Sequence, residues 1–538
     1  MGREAMRRYR ITMALVAVLL ILGNLLIGCS TPTRTSTPAT GASETSATAA
    51  AAAAISLPLD KVRIGHHLSM TSLDPAKYQN LAARQATVLT SGQLFRFDEK
   101  RNIVPDLVQT WDVSSDGLIY TMKLREGLKF SDSSPLTTQD VVFSWERVKG
   151  EVSVDKTLIK MVETVESPDA WTLVWKLRTP NPDFLRWFGE YAAVIHPKRL
   201  ADGDPKYFDH PVSAGPYMIK EWVPGGPRLL LEANPYYAGG QMSIRQIEVL
   251  YVPDTTSRVL QLAQGSLDYV LDLPSPARDN LPPAVATYPR SSATTNFLVF
   301  NIARTGSPLA NRDVRHAISL AVDRQDVANK AFFGVASPQT GYLYAGLPET
   351  YDILPNGGKR DLEAARKLLA STPYAKGFDM NLVTRSSQPG WKEAALIIKE
   401  NLTDLNINVT LEVVEDAVAM KSLTSGNFEA QFTIIGGYPP ILLYGASFGK
   451  GNLYPTATGY GRSDMDELLA KASSEMDNQK RLELFHQVEK LAYEDVVLVP
   501  VVSNNQLLAS RVPGMLIDYT TPGYYLYVKT LAKAKSGQ

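Results

Sequence analysis

The sequence predicts an α/β protein of several folding units. Three observations carry this: a length of 538 residues, a period-two hydrophobic pattern through the first half, and a change to helical periodicity after Asn296. With 44% hydrophobic residues and a formal net charge of zero, the composition is that of a globular protein able to bury large cores. From about Ile55 onward the chain is too long for one ordinary domain, which implies two to four units.

Residues 62–68, 120–124, 171–177 and 247–251 alternate apolar with polar, as in Tyr120-Thr121-Met122-Lys123-Leu124, and read as half-buried strands separated by Gly, Pro, Asn and Asp turns. Beyond Asn296, Val314, Ala317, Ile318 and Ala321 line one helical face. Leu362, Ala365, Leu368 and Leu369 line a second, and Leu482, Phe485, Val488 and Leu491 a third. No internal repeat is visible. Between Met380 and Gly437 the pattern is strand (380–383), amphipathic helix (391–405), strand (409–413), short helix (417–423) and strand (429–435). Such a βαβαβ unit requires parallel strands and right-handed crossovers. Ligands of open parallel sheets sit beyond the carboxyl ends of the strands. That rim holds Arg385 and Ser386, then Glu415 and Asp416, then Gly436, Gly437 and Tyr438, and is the candidate pocket.

At the N-terminus, Arg3, Arg7, Arg8 and Arg10 precede an apolar run from Ile11 to Ile27 that leads through Gly28 into Cys29. The arrangement resembles a bacterial lipoprotein signal peptide, whose cysteine is lipidated as the first residue of the mature chain. Cys29 is the only cysteine, and Ser30 to Ala54 are Ser, Thr, Ala, Pro and Gly with one Arg and one Glu, a composition that cannot form a core. The expected plan is a leader over 1–28, a tether over 29–57 and an extracytoplasmic protein anchored by lipid to the cell membrane. The alternative is an uncleaved transmembrane anchor.

Several function classes find no support. There is no basic excess to neutralise nucleic-acid phosphates. No cysteine remains for disulfides, and no G-x-x-x-x-G-K-[ST] loop is present. The six histidines include the neighbours His66-His67, which on a strand would face opposite ways and share no ion. Gly445-Ala446-Ser447-Phe448-Gly449 matches the nucleophile-elbow pattern of serine hydrolases, but that pattern needs a strand before it and a helix after it, and a loop is expected to follow. No cofactor or metal is expected, and the chain is not expected to be an enzyme.

Further motifs follow one another along the chain: Met70-Thr71-Ser72-Leu73-Asp74-Pro75, Val104-Pro105-Asp106-Leu107, Trp111 through Ser114-Ser115-Asp116-Gly117 to Tyr120, and Leu124-Arg125-Glu126-Gly127. Then come Asp140-Val141-Val142-Phe143-Ser144, His210 to Tyr217, Asn234-Pro235-Tyr236-Tyr237, Phe300-Asn301 and Ala321-Val322-Asp323-Arg324. In this order they resemble the family 5 extracellular solute-binding proteins, peptide receptors of ABC importers. The resemblance implies a two-lobed periplasmic-binding-protein fold with a hinge (type II) and an extra strand-rich subdomain in the first lobe. The implied parts are a lobe I core from 58–80, 211–295 and 503–538, the subdomain over 81–210, and lobe II over 296–502, with hinges near residues 295 and 502. It also implies a monomer that delivers ligand, most simply a peptide, to permease subunits.

The resemblance implies that Met70, Thr71 and Ser72 are the backbone partners of an extended ligand, by strand addition. The resemblance likewise implies that aromatic residues of the second lobe, here Trp391, Tyr438 and Tyr444, cover it. Trp111, Gly117 and Tyr120 are expected to specify a turn and a packed strand, and Asp140 to cap a helix starting near Val141. Peptide receptors of this type commonly carry an aspartate after the third strand of the second lobe, where it pairs with the peptide amino terminus. Here Gly436 to Tyr444 contains no acid. A buried ammonium would then need another partner, for which Glu415 is the nearest candidate, or the ligand is of another kind, such as a blocked peptide or an oligosaccharide. Two further readings are a hydrolase built on Ser447 and a signalling or chaperone-like receptor that does not feed transport.

Overall fold

A computed structural model describes residues 59–512 except 77–80, 99–101, 151–159, 190–192, 205, 345–346, 348 and 438. The leader, the tether with Cys29, Tyr438 and residues 513–538 lie outside the described residues. In chain order the strands are β1 (Leu59–His66), β2 (Phe95–Phe97), β3 (Ile103–Pro105), β4 (Val108–Val113), β5 (Ile119–Leu124), β6 (Val162–Glu166), β7 (Thr172–Leu177), β8 (Tyr217–Trp222), β9 (Arg228–Ala233), β10 (Ile244–Tyr251), β11 (Tyr269–Leu273), β12 (Ala286–Phe300), β13 (Ser337–Pro338), β14 (Phe378–Arg385), β15 (Ile407–Val414), β16 (Ala430–Gly436) and β17 (Leu498–Ser510). The helices that matter below are α1 (Thr138–Gly150), α2 (Arg312–Ala321), α3 (Leu362–Ala370), α4 (Trp391–Thr403), α5 (Asp416–Thr424), α6 (Pro440–Phe448), α7 (Ser463–Ser474) and α8 (Asn478–Asp495).

The alternation in β1 puts Val62 and Ile64 into one core with Ile247 and Leu231, so β1 pairs in parallel with β10, and β10 continues antiparallel into β9 and β8. In the second half, α4 turns Ala394, Ile398 and Leu402 onto Leu382 and Phe432, which leaves β14 paired in parallel with both β15 and β16 as the βαβαβ pattern requires. One mixed sheet runs β15-β14-β16-β12-β17-β11-β1-β10-β9-β8. Among the described residues, its two halves meet through the long antiparallel pair β12 and β17. A separate sheet, β4-β5-β7-β6, surrounds its own core of Tyr120, Trp145, Trp175 and Phe184.

The shared motifs in that sheet are structural. Gly117, at φ +69°, closes the turn from β4 to β5 by donating its N–H to the Ser114 carbonyl at 2.8 Å. Tyr120 is buried and its hydroxyl donates to the Asn181 carbonyl. Trp111 is half on the surface, edge-on to Phe95. Asp140 caps differently from the expectation. Helix α1 begins at Thr138, three residues earlier, and Asp140 reaches back from the first turn to accept the Thr137 N–H at 2.9 Å. Leu73-Asp74-Pro75 is tied to the same helix, because Arg147 binds buried Asp74 with both guanidinium nitrogens at 2.7 and 2.8 Å.

Where β12 crosses β17 the ladder is irregular and polar. The register shifts between Ser291 and Thr295 and again between Asn296 and Phe297, and Ala293 sits at φ +54°. Asn296 and Asn504 exchange amide hydrogen bonds at 3.1 and 3.2 Å, and the Ser292 hydroxyl donates to the Asn504 carbonyl. Among the described residues, no helix is long and apolar enough to cross a membrane.

Candidate functional site

The sheet order decides where a ligand can sit. β16 runs toward Gly436, which pairs with Thr294 of β12, while β11 runs toward Leu273, which pairs with Leu507 of β17. Thr295 pairs with Ser503, so both sets of parallel strands aim their carboxyl ends at the same irregular crossover. The loops after β1, β14, β15 and β16 therefore gather around it.

From the second half come Arg385, Glu415 and Gly437. Arg385 ends β14, half-buried, with its guanidinium 5.6 Å over the Trp391 ring and its Nε buried without a partner. No carboxylate lies within ion-pair distance of it among the described residues. Glu415 is exposed at the start of α5, and Gly437 is half-buried beyond β16. The Asp416 carboxylate accepts from Ser387 and ties two of the rim loops together.

Not every expected contact is free to reach a ligand. Trp391 is 2% exposed and packs edge-on against Phe432, so it belongs to the core beneath the rim. Tyr444 is fully buried in α6, where its hydroxyl donates to Glu489 at 2.6 Å. Both are core aromatics. The family resemblance that placed them at the cleft does not distinguish a ring that lines a cleft from one beneath it. Met70 is likewise a core residue, and its carbonyl already accepts the Gly225 N–H at 2.8 Å. Ser72 caps the N–H of Asp74, which leaves Thr71 as the exposed member of the three.

The His66-His67 expectation fails for a clear reason. β1 ends at His66, the alternation stops there, and the two rings stack at 5.1 Å instead of facing apart. His66 is buried, its Nδ1 accepts the Leu68 N–H, and burial lowers its pKa to about 4, so it is neutral. His67 contacts Asp272, whose carboxylate also lies 3.6 Å from Arg258. Arg258 is held by the carbonyls of Val252 and Pro253 at 2.7 and 2.8 Å. Sequence reading missed this cluster because Asp272 and Arg258 come from elements far from the histidines. No group of three or more metal-ligating side chains occurs among the described residues.

Ser447 cannot serve as an elbow nucleophile in this arrangement. It lies inside α6, which follows a loop instead of a strand, and it is 3% exposed. His486 stacks on Tyr351.

Residues 102–450 match the family described as bacterial extracellular solute-binding proteins, family 5 Middle. The chain belongs to that family. A probable D,D-dipeptide-binding periplasmic protein of Escherichia coli (strain K12) is 26% identical over 480 residues, covering 84% of this chain and 90% of that protein. Heme-binding protein A of Haemophilus influenzae is 25% identical over 459 residues, covering 77% and 81%. Among solved structures, the unliganded open form of the periplasmic murein tripeptide binding protein MppA superimposes with a TM-score of 0.77 at 21% identity, covering 88% of this chain and 97% of that one. HbpA2 from Haemophilus parasuis gives 0.79 at 22%, covering 87% and 99%. The fold of this family 5 protein is thus the two-lobed α/β fold of periplasmic binding proteins.

Proposed function

We propose that this protein is an extracytoplasmic receptor that captures a carboxylate-bearing ligand, in the first instance a short peptide, between two lobes and presents it to an ABC permease. The observation that carries the reading is Arg385. A half-buried guanidinium with no acid partner among the described residues, at the carboxyl end of a central parallel strand in a family 5 chain, is a site for an incoming anion. Thr71 supplies exposed backbone from the first lobe, and Gly437 and Glu415 border the opposite rim. The lobes divide as the resemblance implies, and residues 291–296 and 502–505 act as the hinge, a reading supported by the register shifts and by Ala293. The relatives named for dipeptide and murein tripeptide binding favour peptide. The protein is held at the membrane by a lipid on Cys29 after removal of residues 1–28, and works as a monomer.

A ligand without a free amine is the second reading, favoured by the lack of any acid from Gly436 to Tyr444. Native mass spectrometry of the purified receptor, followed by denaturation, tests both. A ladder of peptide masses that disappears in Arg385→Gln supports the peptide reading, with Glu415→Gln reporting whether that acid holds the amine. A protein that stays empty and gains thermal stability from oligosaccharides but not from peptides refutes it.

A further inference from the structure

We propose that Asp183 and Arg481 form a latch that joins the four-stranded subdomain to the second lobe and sets the fraction of receptor that is closed. The inference rests on the reading that the lobes close over ligand. The two residues are 298 apart in sequence, one beside the β4-β5-β7-β6 core and the other on α8. Arg481 Nη1 donates to Asp183 Oδ1 at 3.0 Å while Nη2 pairs with Oδ2, a fork-to-fork geometry with side chains only 10% and 11% exposed.

Each partner is positioned by its own unit. The Arg481 Nε donates to the Ala472 carbonyl at 2.9 Å, and its guanidinium lies 5.2 Å above the Phe485 ring. The Asp183 N–H donates to Asn181 Oδ1 at 2.7 Å, and Arg186 lies 3.5 Å from the Asp183 carboxylate. Two further contacts span the same boundary. A Cβ at Gly117 would come within 3.0 Å of Met476, so that side chain seats on the β4–β5 turn. Phe97 is buried in the core that also contains Tyr342 and Phe485 of the second half.

Separated, both charges are hydrated. Joined, each loses water and needs the other, so removing one charge disfavours the joined state alone. Because apparent affinity scales with the fraction of competent receptor, the latch tunes ligand binding without touching ligand.

The test is the interlobe distance in the ligand-free protein. The full chain carrying Cys29→Ser has no other cysteine, so spin labels at exposed Thr164→Cys and Lys392→Cys report one distance by pulsed electron resonance. Two populations are expected. Asp183→Asn and Arg481→Gln should each shrink the latched population about tenfold, and together no further. Circular dichroism establishes folding, and Arg481→Gln carries the test where Asp183→Asn does not fold. Two populations that ignore both substitutions overturn the latch, whereas a single distance in every variant overturns lobe closure itself.

Discussion

Glu489 offers a prediction whose magnitude follows from its surroundings. It lies on α8, fully buried, where Oε1 accepts the Tyr444 hydroxyl at 2.6 Å and the Leu343 N–H at 3.3 Å while Oε2 has no partner. Gly341 leaves room for it, since a Cβ there would collide with the Tyr351 carbonyl at 2.1 Å and crowd Oε2 at 3.0 Å. Burial, with Asp352 adding repulsion, raises the carboxyl pKa from 4.5 to about 7, against the lowering effect of the bonds it accepts. The folded protein therefore keeps a proton that the unfolded chain has released. The stability from this group is fully present below pH 4.5 and is lost as pH rises through 7. At about 1.4 kcal/mol per tenfold in proton affinity, the loss is about 3 kcal/mol. Glu489→Gln keeps the shape and the acceptor but cannot ionise. Thermal melts of both proteins from pH 4.5 to 8 should show wild type falling relative to the variant, with the gap opening toward pH 7. Curves that stay parallel across that range would refute the argument.

Three other substitutions test the surrounding structure. Asp74→Ala removes the carboxylate from a buried bidentate pair with Arg147 and should cost about 3–5 kcal/mol, read as an early melting transition of the four-stranded subdomain by hydrogen exchange. Trp391→Ala should lower stability by about 3–5 kcal/mol through the cavity left against Phe432, and a receptor that instead keeps its stability but loses ligand would return Trp391 to the cleft. Ser447→Ala deletes a buried hydroxyl with no hydrogen-bond partner, so melting should move by less than about 1 kcal/mol and ligand capture should not change.

Sequence reading worked where one element decides its own form. The βαβαβ unit was legible because Ala394, Ile397, Ile398 and Leu402 repeat at the helical period between two short apolar runs, and parallel pairing then followed from connection length. The structural character of Gly117 and Tyr120 was legible for the same local reason. Reading failed where an element boundary or a distant neighbour decides. The end of β1 at His66 redirected His67, and α1 began three residues before its expected start. Trp391 and Tyr444 were placed at the cleft by the family resemblance, which does not report how deep a ring lies. Arg481 finds Asp183 across 298 residues, a separation over which neither helical nor strand periodicity carries information.

The position of β17 has a consequence for how the protein comes into being. Residues 498–510 supply the strand that stands between β11 and β12, yet they come after both in the chain and are synthesised later than either. Until they arrive, the sheet begun by β1 has no neighbour beyond β11, and its pairing with the second half is missing. Such late, long-range closure slows completion of the sheet. In this member of a family described as extracellular, the strand order itself acts as a timer for closure of the sheet.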